Sequence, residues 1–137
     1  MDYMKDEPDF IGVFAHDELP EITNEKKYSM IINYNNHDES GSHWVCICNN
    51  TFFDSFGVVP STIIQKFIRR NNGGKEIPYN SHQLQNELSV LCGYWCIVYI
   101  KMINKGYSQY DATHKLFSLT NTIHNEETLR RLIMKYL

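Results

Sequence analysis

"GSHWVCICNNTFFDSFG", residues 41–57, holds two short strand-forming runs, HWVCICN and TFFDSF, on either side of Asn49-Asn50. Asparagine tolerates positive φ, so the pair predicts a two-residue hairpin turn. With that loop length Asp54 faces Val45. Side-chain alternation places His43, Val45 and Ile47 on one face and Trp44, Cys46 and Cys48 on the other. Asp54 then lies diagonally across from His43 on the same face, about 7 to 8 Å away between backbones and within reach of an imidazole and a carboxylate. In that geometry the carboxylate fixes the tautomer of the ring and leaves the second ring nitrogen for a reacting group. A longer loop would shift the register and part them.

Outward from the hairpin, "YSMIINY" at 28–34 reads as a preceding strand, separated from it by the turn-rich "NNHDESGS". "PSTIIQKFIRR" at 60–70 carries Ile63, Ile64, Phe67 and Ile68 at helical spacing behind Ser61 or Thr62 as cap. "RRNNGGKEIP" at 69–78 reads as a surface loop. "SVLCGYWCIVYIKMINKG" at 89–106 is apolar on every side from Leu91 to Ile100, the profile of a helix buried at the centre of a domain. "YDATHKLFS" and "NEETLRRLIMKYL" predict two closing helices, the last with Asn125 as its cap. The fold class is α+β, a small mostly antiparallel sheet packed on a central buried helix.

Length and composition narrow the function. A chain of 137 residues is expected to form one domain, residues 1–137, around a single core. Thirteen basic against sixteen acidic residues, with no long run of either sign, give no electrostatic reason to expect nucleic acid or an anionic membrane as partner. No apolar stretch has membrane-spanning length, and "MDYMKDEPDF" lacks the basic-then-apolar layout of a signal peptide. The expected setting is therefore soluble, intracellular and reducing, with a protein or small molecule as partner and a monomer as the working unit.

The four cysteines, at 46, 48, 92 and 96, suit buried or reactive thiols better than a disulfide framework. A zinc site is disfavoured: His43 points away from Cys46 and Cys48, and the Cys-x-Cys and Cys-x3-Cys spacings are poor for metal. No cofactor is called for. Cys46 and Cys48 read as small core residues, and Cys96 as packing within its helix. Cys92 differs, because it opens the buried helix and Gly93 follows it. A thiol at a helix N-terminus feels partial positive charge that favours thiolate, and glycine beside it admits a substrate backbone. Cys92 is accordingly expected to be the exposed, reactive thiol. Seven residues earlier, Gln85 stands in polar "SHQLQNELS", from which its amide N–H could reach the oxygen of a carbonyl attacked by Cys92.

Gly41-x-His43-Trp44, then Asp54-x-Phe56-Gly57, then Gln85-x3-Ser89-x2-Cys92-Gly93-x-Trp95-Cys96 resembles, in that order, the adenovirus protease (adenain) family, relatives of the SUMO-deconjugating Ulp-type cysteine proteases. "FIGVFAHDELP" at 10–20 is similar to that family's N-terminal segment, so the resemblance runs from about residue 10 to 96. It implies His43 as general base, Asp54 as orienting acid, Cys92 as nucleophile, and Gln85 with the Cys92 backbone N–H as oxyanion hole. It further implies a protein substrate, such as a viral capsid precursor, cut after Gly-Gly or Gly-x-Gly, with Trp44 and Gly93 lining the groove. Removal of a ubiquitin-like modifier is the alternative with the same chemistry; a binding module without turnover is the alternative of another class. The acid is Asp, as in the SUMO proteases, where the adenovirus enzyme has Glu. That enzyme's activating peptide is disulfide-linked at a position that falls, counted without gaps, at Gly73-Gly74, so no such linkage is expected here. The chain is short for the family, which suggests a minimal version from a virus or virus-like element, acting in the virion and in the host cytoplasm or nucleus.

Overall fold

The computed structural model describes residues 2–22, 27–34, 43–86, 89 and 91–137. Four strands, β1 (Phe10–Ala15), β2 (Ser29–Asn33), β3 (Trp44–Cys48) and β4 (Thr51–Phe53), form one sheet in the order β1-β2-β3-β4. β1 runs parallel to β2, and the other two pairings are antiparallel. The turn-rich stretch at 35–42, Gly41 included, lies outside the described residues.

The hairpin forms as its sequence predicts. Asn49 and Asn50 take φ of 51° and 66°, and Cys48 pairs with Thr51, Ile47 with Phe52 and Cys46 with Phe53. One further step of that register sets Val45 against Asp54. The alternation also holds, and it sorts the strands between two apolar layers. Met30, Ile32, Val45, Ile47 and Phe52 pack against α1 (Thr62–Asn72) through Ile64, Phe67 and Ile68. Ile31, Cys46, Cys48 and Phe53 pack on the opposite face against α2 (Cys92–Asn104) and, beyond it, Leu129 of α3 (Thr122–Tyr136). Helices therefore cover both faces of the sheet, and α2 lies between the sheet and α3.

Several expectations change. β1 carries no hairpin signal because its partner β2 is parallel and reached by a crossover, and Gly12 at its centre, with φ of 136°, weakens the strand pattern. Ile63 is exposed, so α1 buries three of the four predicted apolar residues. Ser61 is its cap, its hydroxyl accepting from the Ile64 N–H at 3.4 Å. α1 extends to Asn72 and ends on Gly73 in the left-handed region, φ 73°, which shortens the expected loop.

At the C-terminal end, the predicted helix over "YDATHKLFS" is a single π-type turn, Asp111–Lys115, in which the Thr113 hydroxyl donates back to the Gln109 carbonyl at 2.8 Å. α3 is capped by Asn121, which accepts from the His124 N–H at 3.0 Å. Asn125 is not the cap. It is fully buried inside the helix, where Oδ1 accepts from Ser118 N–H and Nδ2 donates to the carbonyls of Ser118 and Leu84. Two asparagines one turn apart look equivalent in sequence. Burial gives one the tertiary contacts and leaves the other the helix end.

Candidate active site

His43 immediately precedes β3 and is held there by Tyr34, whose backbone N–H donates to the His43 carbonyl at 2.9 Å. Its ring sits between those of Tyr34 and Phe56, with centroids at 5.5 and 5.2 Å. Asp54, immediately after β4, brings Oδ1 within 3.1 Å of His43 Nε2 and is almost wholly buried. A buried carboxylate accepts, so Nε2 carries the hydrogen and Nδ1 is the nitrogen left for a second partner. The Cys92 thiol is near enough to act on the same ring. Burial works against charge on the ring, but the hydrogen bond that the ring donates to Asp54, together with the carboxylate charge and the nearby Cys92, outweighs it and pushes His43 from 6.5 up to about 9. These surroundings favour the protonated ring.

His43 and Asp54 belong, by alternation, to the α1 side of the sheet, whereas Cys92 arrives on α2 from the other side. They meet because both sit just past the strand ends, where the sheet no longer separates its faces. Cys92 is the first residue of α2, which has no side-chain cap, in contrast to α1 and α3. The first turn of a helix places positive partial charge beside the sulfur. The thiol is only 4% exposed, which corrects the expectation of an open thiol. Cys46, Cys48 and Cys96 are equally enclosed, and none of the four is in a disulfide. Burial pushes the Cys48 thiol up to about 12, and those of Cys46 and Cys96 upward as well. Those three are packing residues, as their sequence setting predicts.

One tight turn ties the site together. The Gly57 N–H donates to the Asp54 carbonyl at 2.8 Å, and the Phe56 N–H donates to Asp54 Oδ1 at 2.9 Å. Gly57 has φ of 73°, and a Cβ there would stand 2.6 Å from the His82 carbonyl carbon. Close approach of two backbones is what requires glycine. Ser55 accepts through its carbonyl from Leu84 and Gln85 N–H groups at 2.8 and 3.0 Å. Asn80, also buried, accepts from Asp54 N–H at 3.1 Å and donates to the Asp54 carbonyl at 2.6 Å. Asn80 and Ser55 escape a sequence reading, because a lone Asn in "IPYNSH" and a lone Ser in a turn carry no periodic signal.

Gln85 is fully buried on the loop that this turn grips. Its Oε1 accepts from Ser55 Oγ at 2.5 Å and its Nε2 donates to the Ser89 carbonyl at 3.0 Å. One of its two amide hydrogens is thereby used. Trp44, half-buried, packs on the α2 side of the sheet, and Gly93 follows Cys92 in the first turn of α2. Among the described residues, no group of three metal-ligating side chains is present, and no helix is long and apolar enough to cross a membrane.

The fold is α+β: a four-stranded sheet that ends at the histidine and the acid, with the cysteine at the head of a buried helix. The crystal structure of the ASFV pS273R protease has this arrangement of chain, with a TM-score of 0.54 over 77% of the present chain at 15% sequence identity. The aligned part is 42% of that protease, so this chain spans less than half its length. No protein-family model matches the sequence, and no curated protein does. The likeness is one of fold, and it does not single out the adenovirus branch.

Proposed function

We propose that the chain is a cysteine endopeptidase in which Cys92 is the nucleophile, His43 the general base and acid, Asp54 the residue that orients His43, and Gln85 with the Cys92 backbone N–H the oxyanion hole. What supports this reading is the His43–Asp54 pair at 3.1 Å, with Cys92 near enough to act on the same ring. His43 takes the thiol proton as Cys92 becomes the nucleophile. Sulfur attacks the scissile carbonyl, the imidazolium gives its proton to the leaving amine, and water activated by the neutral ring then releases the acyl group. The second amide hydrogen of Gln85 is the one assigned to the oxyanion.

For substrate we infer a protein with Gly-Gly or Gly-x-Gly before the cut, as in the adenovirus-type resemblance, with a viral structural precursor as the physiological class. Trp44 and Gly93 are assigned to the groove that such a segment enters. Incubating the chain with candidate capsid precursors and with ubiquitin-like modifier fusions, and reading fragment masses, tests this directly. Cleavage after glycine in a precursor is the expected result; release of a modifier alone would make the chain a deconjugase. Replacing the glycine before the cut by alanine should cost about 1 to 3 kcal/mol in kcat/KM, the scale of forcing a methyl group into a filled site. Equal rates for the two peptides would discard the narrow groove.

A further inference from the structure

The Gln85 amide is held at both ends inside the protein, and the two holders are unequal. The Ser89 carbonyl can only accept, so it has to face Nε2. Oε1 is then delivered to Ser55 Oγ, 2.5 Å away, where the hydroxyl has to donate. Turning the amide over would set Oε1 against the Ser89 carbonyl, acceptor on acceptor, while the Gln85 and Ser55 side chains have no exposed surface. Ser55 is also the residue next to Asp54, in the turn whose carbonyl receives the Gln85 backbone N–H. The turn that presents the acid therefore also fixes both the main chain and the side chain of the glutamine.

We propose that Ser55 is a positioning residue for catalysis: by donating to Oε1 it fixes the Gln85 amide so that Nε2, and not Oε1, faces the carbonyl oxygen attacked by Cys92. This rests on the endopeptidase reading above. Without the hydroxyl, Oε1 is a buried acceptor with no donor from Ser55, and the amide keeps only the Ser89 carbonyl of the two contacts that oppose rotation. An amide that presents oxygen to an oxyanion repels it, so the cost falls on the transition state and not on substrate binding or on the thiol.

The test is a double-mutant cycle on a Gly-Gly peptide, with Cys92 alkylation by iodoacetamide measured in parallel, since alkylation forms no oxyanion. Ser55→Ala should lower kcat roughly 10- to 100-fold at nearly constant KM, less than the roughly 10²- to 10³-fold for outright loss of an oxyanion donor, and leave the alkylation rate unchanged. In a Gln85→Ala background the same substitution should lower kcat no further. Ser55→Thr, which keeps the donor, should recover a large part of the loss. Wild-type turnover in Ser55→Ala, an equal loss with and without Gln85, or a parallel fall in alkylation would each overturn the inference while leaving the peptidase standing. If Ser55→Ala fails to fold, Ser55→Thr against Ser55→Cys decides, because the thiol is a much weaker donor; equal kcat in those two overturns the proposal. A wild-type chain that alkylates at Cys92 and cuts no peptide overturns the peptidase reading first, and this inference with it.

Discussion

Cys92 and Cys96 lie one turn apart on α2, both sealed from solvent, and their surroundings have little in common. The Cys96 thiol meets the Cys46 thiol in the core between helix and sheet, where burial raises both above the usual thiol range. Cys92 meets the ring of His43 at the sheet's end and stands at the head of an uncapped helix. Exposure does not separate the two thiols. On the proposed reading, the charges and dipoles around each decide which is reactive.

The largest effect that could break this comparison is on turnover. Cys92→Ala should lower kcat/KM by more than about 10³-fold with little change in melting temperature, whereas Cys96→Ala should keep turnover and lose about 1 kcal/mol of stability from a small cavity. Paired peptide assays and denaturant titrations of the two variants measure both. If Cys96→Ala were the inactive one, the assignment of roles along α2 would be wrong.

Next comes the acid. Asp54→Asn should lower kcat/KM by about 10²- to 10⁴-fold, because the amide keeps the geometry and favours the wrong tautomer. In the wild type the imidazolium is lost near pH 9, which sets the alkaline limb of the rate profile; without the carboxylate that limb should move to lower pH. Stability follows the same group. His43 is raised on folding, so its contribution is fully present below about pH 6.5 and disappears as pH rises through about 9. Melting curves at pH 6 and pH 9.5 should differ more for wild type than for Asp54→Asn, and an equal difference would show that the pair is not coupled.

A smaller effect concerns the turn. Gly57→Ala puts a methyl group 2.6 Å from the His82 backbone at a φ that alanine resists, and should cost about 1 to 3 kcal/mol of stability. Turnover should fall with it, because the loop displaced by the clash leads into Gln85. Unchanged urea midpoints would mean that the two backbones separate freely. The smallest expected effect is kinetic selectivity: one equivalent of iodoacetamide should label Cys92 ahead of Cys46, Cys48 and Cys96. Peptide mapping that found Cys48 first would count against the assignment of Cys92 as the reactive thiol.

Much of this was legible in the sequence, for reasons that are local. Two asparagines able to take positive φ set a two-residue turn, and the turn set the register that carries Asp54 to His43. An apolar run without a polar face marked α2 as buried, and placed Cys92 at its start. What the sequence could not determine depends on contacts between distant segments. β1 is a strand only because β2 lies beside it, in a parallel pairing that leaves no turn to read. Asn121 and not Asn125 caps α3 because Leu84 and Ser118, brought in by the fold, take the buried one. The tertiary structure alone decided that Cys92, from the opposite face of the sheet, would meet His43 beyond the strand ends. It also decided that Asn80 and Ser55 would hold the acid and the glutamine, because hydrogen bonds from single side chains across 26 and 30 residues leave no periodicity in the chain that forms them.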